Sequence, residues 1–123
     1  MTKPTLCLDF DGVLHSYTSG WLGATVIPDL PVPGAIEFLR EAIKHFTVAI
    51  HSSRSHQDGG IAAMQEWLAK HGDFDLVISI FWPDHKPSAF VTIDDRALTF
   101  DGTWPDIEVL LKFRPWNKPK VAA

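Results

Sequence analysis

Only one cysteine, Cys7, occurs in this 123-residue sequence, which excludes an internal disulfide and the small secreted scaffolds that depend on one. No apolar run approaches the ~20 residues that a membrane-spanning helix needs, and no signal peptide opens the chain. The expectation is a cytoplasmic protein without membrane contact. Internal repeats and low-complexity stretches are also missing, and the six histidines show no metal-ligand spacing such as His-x-x-x-His. Charge is close to balanced. Of the 15 acidic residues set against 11 basic ones, Asp9, Asp11, Asp94 and Asp95 alone account for the net charge of −4. Net charge therefore gives a nucleic-acid partner no support and does not exclude one.

What the sequence does have is an ordinary globular balance, 46% hydrophobic and 21% charged, in a length that fits one domain spanning residues 1–123. The most informative stretch is Thr5-Leu6-Cys7-Leu8-Asp9-Phe10-Asp11-Gly12-Val13-Leu14. A β-prone apolar run ends in two carboxylates one residue apart, and Gly12 allows a sharp bend immediately after them. In extended chain Asp9 and Asp11 share a side while Phe10 points into packing. Two such carboxylates raise each other's pKa and call for a divalent cation or a shared proton. Cys7, inside the strand, reads as core filler.

Residues 13–30 read as a flap with a short hairpin around Ala24–Ile27. Helices are expected over 35–44, 60–70 and 106–113, and strands over 46–50, 76–80, 90–93 and 97–100. Apolar strands alternating with amphipathic helices indicate an α/β fold. It would be a three-layer α/β/α sandwich around a mainly parallel sheet, Rossmann-like, with no separate cap domain. Ligands in such sheets bind at the carboxyl ends of the strands. Three of the strongest strands end in candidate chemistry: Asp9 and Asp11, then Ser52, Ser53 and Arg54, then Asp94 and Asp95, with Lys86 in the loop before the last.

Together these residues would hold Mg²⁺ through carboxylate oxygens and a phosphate through Lys86 and Ser52. Asp9 could attack phosphorus, while Asp11 protonates the leaving oxygen and later activates water. Phosphoryl transfer depends mostly on positioning and charge neutralisation, so this set suffices.

The order Asp-Phe-Asp-Gly-Val, Ser52-Ser53-Arg54, Lys86-Pro87, Asp94-Asp95 resembles the haloacid dehalogenase-like hydrolase superfamily over residues 5 to about 100. That resemblance implies a phosphatase working through an aspartyl-phosphate on Asp9. Asp11 would be general acid and base, Ser52 the phosphate-binding hydroxyl and Lys86 the stabilising cation. Ser53 and Arg54 are further candidates for contact with the phosphate, although Arg54, like Arg96, reads first as half of a local ion pair. Mg²⁺ would sit between Asp9, the backbone carbonyl of Asp11, Asp94 and Asp95, the last directly or through water. Ser53 stands where glycine is common in that family. An acid at position 11 favours phosphatases over the dehalogenases and ion-pumping ATPases, and the short spacings between motifs leave no room for a cap.

The implied substrate is a phosphomonoester, either a small molecule or a polymer end. Two other classes fit less well. A phosphoacceptor receiver domain needs an acid near the end of a mid-chain strand, and residues 50–56 contain none. A non-catalytic Mg²⁺- or phosphate-binding module on the same fold keeps every residue but not the reaction. His15 is the one histidine expected near the site, and Trp21, Trp82 and Trp104 either border it or pack in the core. Lys112, Arg114, Lys118 and Lys120 read as a solvated basic end.

Overall fold

A computed structural model describes residues 2–118. The strands are β1 (Thr5–Leu8), β2 (Thr47–Ile50) and β3 (Val91–Ile93). The helices are α1 (Ala35–Ala42), α2 (Gly60–His71), α3 (Phe74–Ile78) and α4 (Ile107–Leu111). The three strands form one parallel sheet in the order β2-β1-β3. The strand bearing the two carboxylates is therefore central, with a parallel neighbour on either side. No described helix is long and apolar enough to cross a membrane.

The core forms where the apolar patterns predict it. Leu6, Leu8, Val48 and Ile50 of the sheet pack in one cluster with Leu39 of α1 and with Met64 and Leu68 of α2. Cys7 and Ala49, the alternate residues of β1 and β2, are buried as well, as expected for a parallel sheet. Gly60 opens α2 at a point where a Cβ would collide with the carbonyl oxygen of Arg54, so only glycine fits there.

Four expectations are corrected. Residues 76–80 are not a strand: Phe74–Ile78 is helix α3, because the Asp73 carboxylate caps it by accepting from the Leu76 N–H at 2.8 Å. Leu76, Val77 and Ile80, spaced as on one helical face, still reach the core. The place beside β2 is taken instead by Phe81, whose N–H donates to Val48 O at 2.9 Å and whose carbonyl accepts from Ile50 N at 3.0 Å. Residues 97–100 form no strand, and Leu98 and Phe100 are exposed.

The last helix covers only Ile107–Leu111 and buries none of its residues. Finally, the flap contains no hairpin around Ala24–Ile27. It closes at its base instead, through Ser16 N to Leu30 O at 3.0 Å and Val32 N to Leu14 O at 2.8 Å. Of the basic end, Lys120 lies outside the described residues.

Candidate functional site

Parallel pairing delivers two of the acidic motifs to one place. Asp9 follows β1 and donates its N–H to Ile93 O at 3.0 Å, so the pairing with β3 runs to the point where β3 gives way to Asp94 and Asp95. Carboxylate oxygens of Asp9, Asp94 and Asp95 all lie within 4.8 Å of one another. Burial pushes the Asp9 carboxyl up to about 8, the Phe10 N–H opposes this, and Asp94 and Asp95 add to the rise. Asp95 is raised too, chiefly by burial. Neighbouring anions in a desolvated site disfavour full ionisation, so a shared proton or a cation is needed. Gly12, at φ +81°, leaves the space into which the Asp95 carboxylate fits; a Cβ there would run into it.

A cleft of about 240 Å³ opens beside these groups, lined by Asp9, Ser52, Ser53, Lys86 and Asp94. Cys7, His51 and Thr92 complete its wall. Burial pushes the Cys7 thiol up, with Lys86 opposing, which suits a passive part of that wall. Ser52 is buried, and its Oγ accepts from Arg54 N at 3.1 Å, which leaves the hydroxyl proton free to donate. Lys86 is exposed on the opposite loop. Residues expected from four separate motifs thus meet at one opening.

Asp11 and Arg54 do not line this cleft. Arg54 is 0% exposed. Its Nε donates to Asp11 Oδ2 at 2.9 Å and its Nη2 to Asp11 Oδ1 at 3.1 Å. Its Nη1 donates to the carbonyls of Gly23, Ala24 and Val26 at 2.8, 2.9 and 3.3 Å, and Trp21 lies 4.7 Å from the guanidinium. Of the two readings of Arg54, the structure favours the ion pair over the phosphate contact: the buried guanidinium is turned to Asp11 and to the flap.

His15 is part of the same cluster. Its Nε2 accepts from Asp29 N at 3.1 Å, which assigns the proton to Nδ1 and makes it the donor to Asp11 Oδ1 at 2.9 Å. With both carboxylate oxygens occupied, Asp11 contributes no side chain to the acidic triad. Its carbonyl accepts no backbone hydrogen bond among the described residues, so it remains the residue's free ligand atom.

The tryptophans turn out to be structural where they are engaged. Trp21 covers Arg54, Trp82 donates to Val77 O at 3.0 Å, and Trp104 stands at the surface against Phe100. Trp67 donates to Asp29 O at 2.9 Å, tying α2 to the flap. From the other end of the chain, Trp116 Nε1 donates to Gly12 O at 2.8 Å and Asn117 Nδ2 to Ser16 O at 3.1 Å.

Sequence reasoning missed His51 in the cleft wall. The signal that could have found it is its position, two residues after Ala49, matching Asp9 two residues after Cys7 on the paired strand. No protein-family model, curated protein or solved structure matches this chain.

Proposed function

We propose that this chain is a Mg²⁺-dependent phosphomonoesterase that works through Asp9, on the three-layer α/β/α architecture of the haloacid dehalogenase-like hydrolases. The observation that carries the proposal is the single cleft lined by Asp9, Ser52, Lys86 and Asp94, residues drawn from four motifs spread across the sequence. A cleft flanked by a carboxylate, a hydroxyl and an ammonium group is what phosphoryl transfer to a carboxylate requires.

The donor set fits the metal. Three carboxylates within 4.8 Å of one another offer oxygen ligands, and Asp9, raised first by burial and then by Asp94 and Asp95, is a carboxyl whose ionised form a hard cation would stabilise. Mg²⁺ held by Asp9, Asp94, Asp95 and the Asp11 carbonyl would neutralise these anions and the charge that develops on the phosphoryl oxygens. The chain's own residues do the rest. Lys86 and the Ser52 hydroxyl hold the phosphate oxygens. An Asp9 oxygen forms a bond to phosphorus as the ester P–O bond breaks, and water then cleaves the aspartyl-phosphate. By the resemblance Asp11 is the acid and base: it exchanges one hydrogen bond to Arg54 or His15 for the leaving oxygen, gives that oxygen a proton as the ester bond breaks, and takes a proton back from the water that attacks the aspartyl-phosphate.

The commitment of Asp11 to Arg54 and His15 also favours a second reading, a non-catalytic module that binds Mg²⁺ and phosphate. Hydrolysis of an aryl phosphate by wild type and Asp9→Asn, with Mg²⁺ and with chelator, separates the two. Metal-dependent turnover that Asp9→Asn lowers at least ~1,000-fold supports the enzyme, a loss of ~4 kcal/mol of transition-state stabilisation. Equal background rates in all four samples reject it; in that case metal-dependent phosphate binding by the wild type would establish the module.

A further inference from the structure

His51 is placed by the sheet. Its N–H donates to Leu8 O at 3.1 Å, so β2 stays paired with β1 one residue beyond Ile50. In this register Ala49 lies opposite Cys7, and alternation carries His51 to the side that Asp9 occupies. The imidazole accordingly forms part of the wall of the cleft that Asp9, Ser52 and Lys86 line.

The contrast with His15 shows that the ring is available. Both ring nitrogens of His15 are hydrogen-bonded, one to Asp11 and one from the Asp29 N–H. The half-buried ring of His51 makes no hydrogen bond to the described residues. Burial first, then Lys86, His56 and His85, with Asp84 opposing, push His51 below the ordinary histidine range. At neutral pH the ring therefore keeps one N–H donor and one lone pair. A phosphate carries three non-bridging oxygens, and Lys86 and the Ser52 hydroxyl provide for two of them.

We propose that His51 is a further substrate-binding residue, its ring N–H donating to an oxygen of the phosphate held in the cleft. This assignment rests on the phosphate-binding reading of that cleft, and a direct binding measurement distinguishes failure of one from failure of the other. The probe is inorganic phosphate, titrated by calorimetry into the Mg²⁺-loaded protein.

His51→Ala removes a hydrogen bond to an anion and should weaken binding roughly 10- to 100-fold. His51→Asn, which keeps an N–H donor, should recover much of that loss, and the KM for an aryl phosphate should rise more than kcat falls. The wild-type protein supplies an independent measure: the His51 ring ¹⁵N signals should shift on adding phosphate. Unchanged phosphate affinity in His51→Ala, with affinity lost in Lys86→Ala, overturns the role of His51 and leaves the cleft standing. Wild-type ring signals that ignore phosphate while Lys86 still governs affinity do the same. No phosphate binding by the wild type overturns both.

Discussion

Asp9 and Asp11 stand two residues apart, yet the cleft around the first and the buried cluster around the second are opposite environments. Asp9 has carboxylates for neighbours, and burial with them holds its carboxyl near 8. Asp11 has a guanidinium and an imidazole for neighbours, and both of its oxygens accept hydrogen bonds. Charge is left unbalanced in one place and cancelled in the other. The difference teaches where to look for chemistry and where to look for stability. A carboxyl that keeps its proton for want of a cation creates a demand that a ligand can meet, while a buried, hydrogen-bonded ion pair fixes one arrangement of the chain. Here that arrangement is the flap, whose carbonyls at Gly23, Ala24 and Val26 converge on Arg54.

Breaking the Asp11 cluster should have the largest effect. Arg54→Met leaves the Asp11 carboxylate buried beside the flap without its cation, and the expected loss is about 3–5 kcal/mol in chemical denaturation. Adding Asp11→Leu in the same chain should recover most of it, since an apolar pair needs no compensation. If the double variant is as unstable as the single, the ion pair is not what holds the flap.

Gly12→Ala joins the two regions, because the position needs φ +81° and faces Asp95. It should cost roughly 2 kcal/mol with chelator present, and it should also weaken Mg²⁺ binding by displacing Asp95. A calorimetric Mg²⁺ titration reads the second effect apart from the first; unaltered Mg²⁺ affinity would separate Gly12 from the acidic site.

The pH dependence sharpens the Asp9 side of the comparison. Folding raises the Asp9 carboxyl, so the native state holds a proton that the unfolded chain releases, and this contribution to stability is present at low pH. It is lost as pH climbs from the ordinary carboxylate range through about 8. The metal-free melting temperature should therefore fall by about 4 °C between pH 7 and 8 and then level off. Mg²⁺ or Asp9→Asn should flatten the curve. A flat metal-free curve would mean that Asp9 is not raised.

The smallest effect belongs to the C-terminal contact. Trp116→Phe removes the donor to Gly12 O and should cost about 1 kcal/mol. Faster amide exchange in residues 12–17 should accompany that loss. Unchanged exchange would show that the indole does not brace this turn.

Much of the site was legible before the fold was known. The runs ending at Leu8, Ile50 and Ile93 read as strands because they are short and apolar, and their parallel pairing brings Asp9, Ser52 and Asp94 to one edge. Leu76–Ile80 has the same local character, yet Asp73 caps it into a helix. A short apolar run fits either periodicity, so a single capping hydrogen bond can decide between them. Arg54 was legible only in part. An ion pair could be read from its sequence and a phosphate contact from its position beside Ser52, but its partner is an anion 43 residues away in sequence, against which the guanidinium is buried.

By itself the sequence determined the acidic pairs, the positions of Ser52 and Lys86, their order, and the strand ends that the acidic pairs and Ser52 follow, because apolar patterning acts over a few neighbouring residues. Only the tertiary structure decided which carboxylate received Arg54 and His15, which remained among other carboxylates, and which histidine entered the cleft. Those outcomes depend on burial and on partners brought together from distant parts of the chain. No local pattern encodes them.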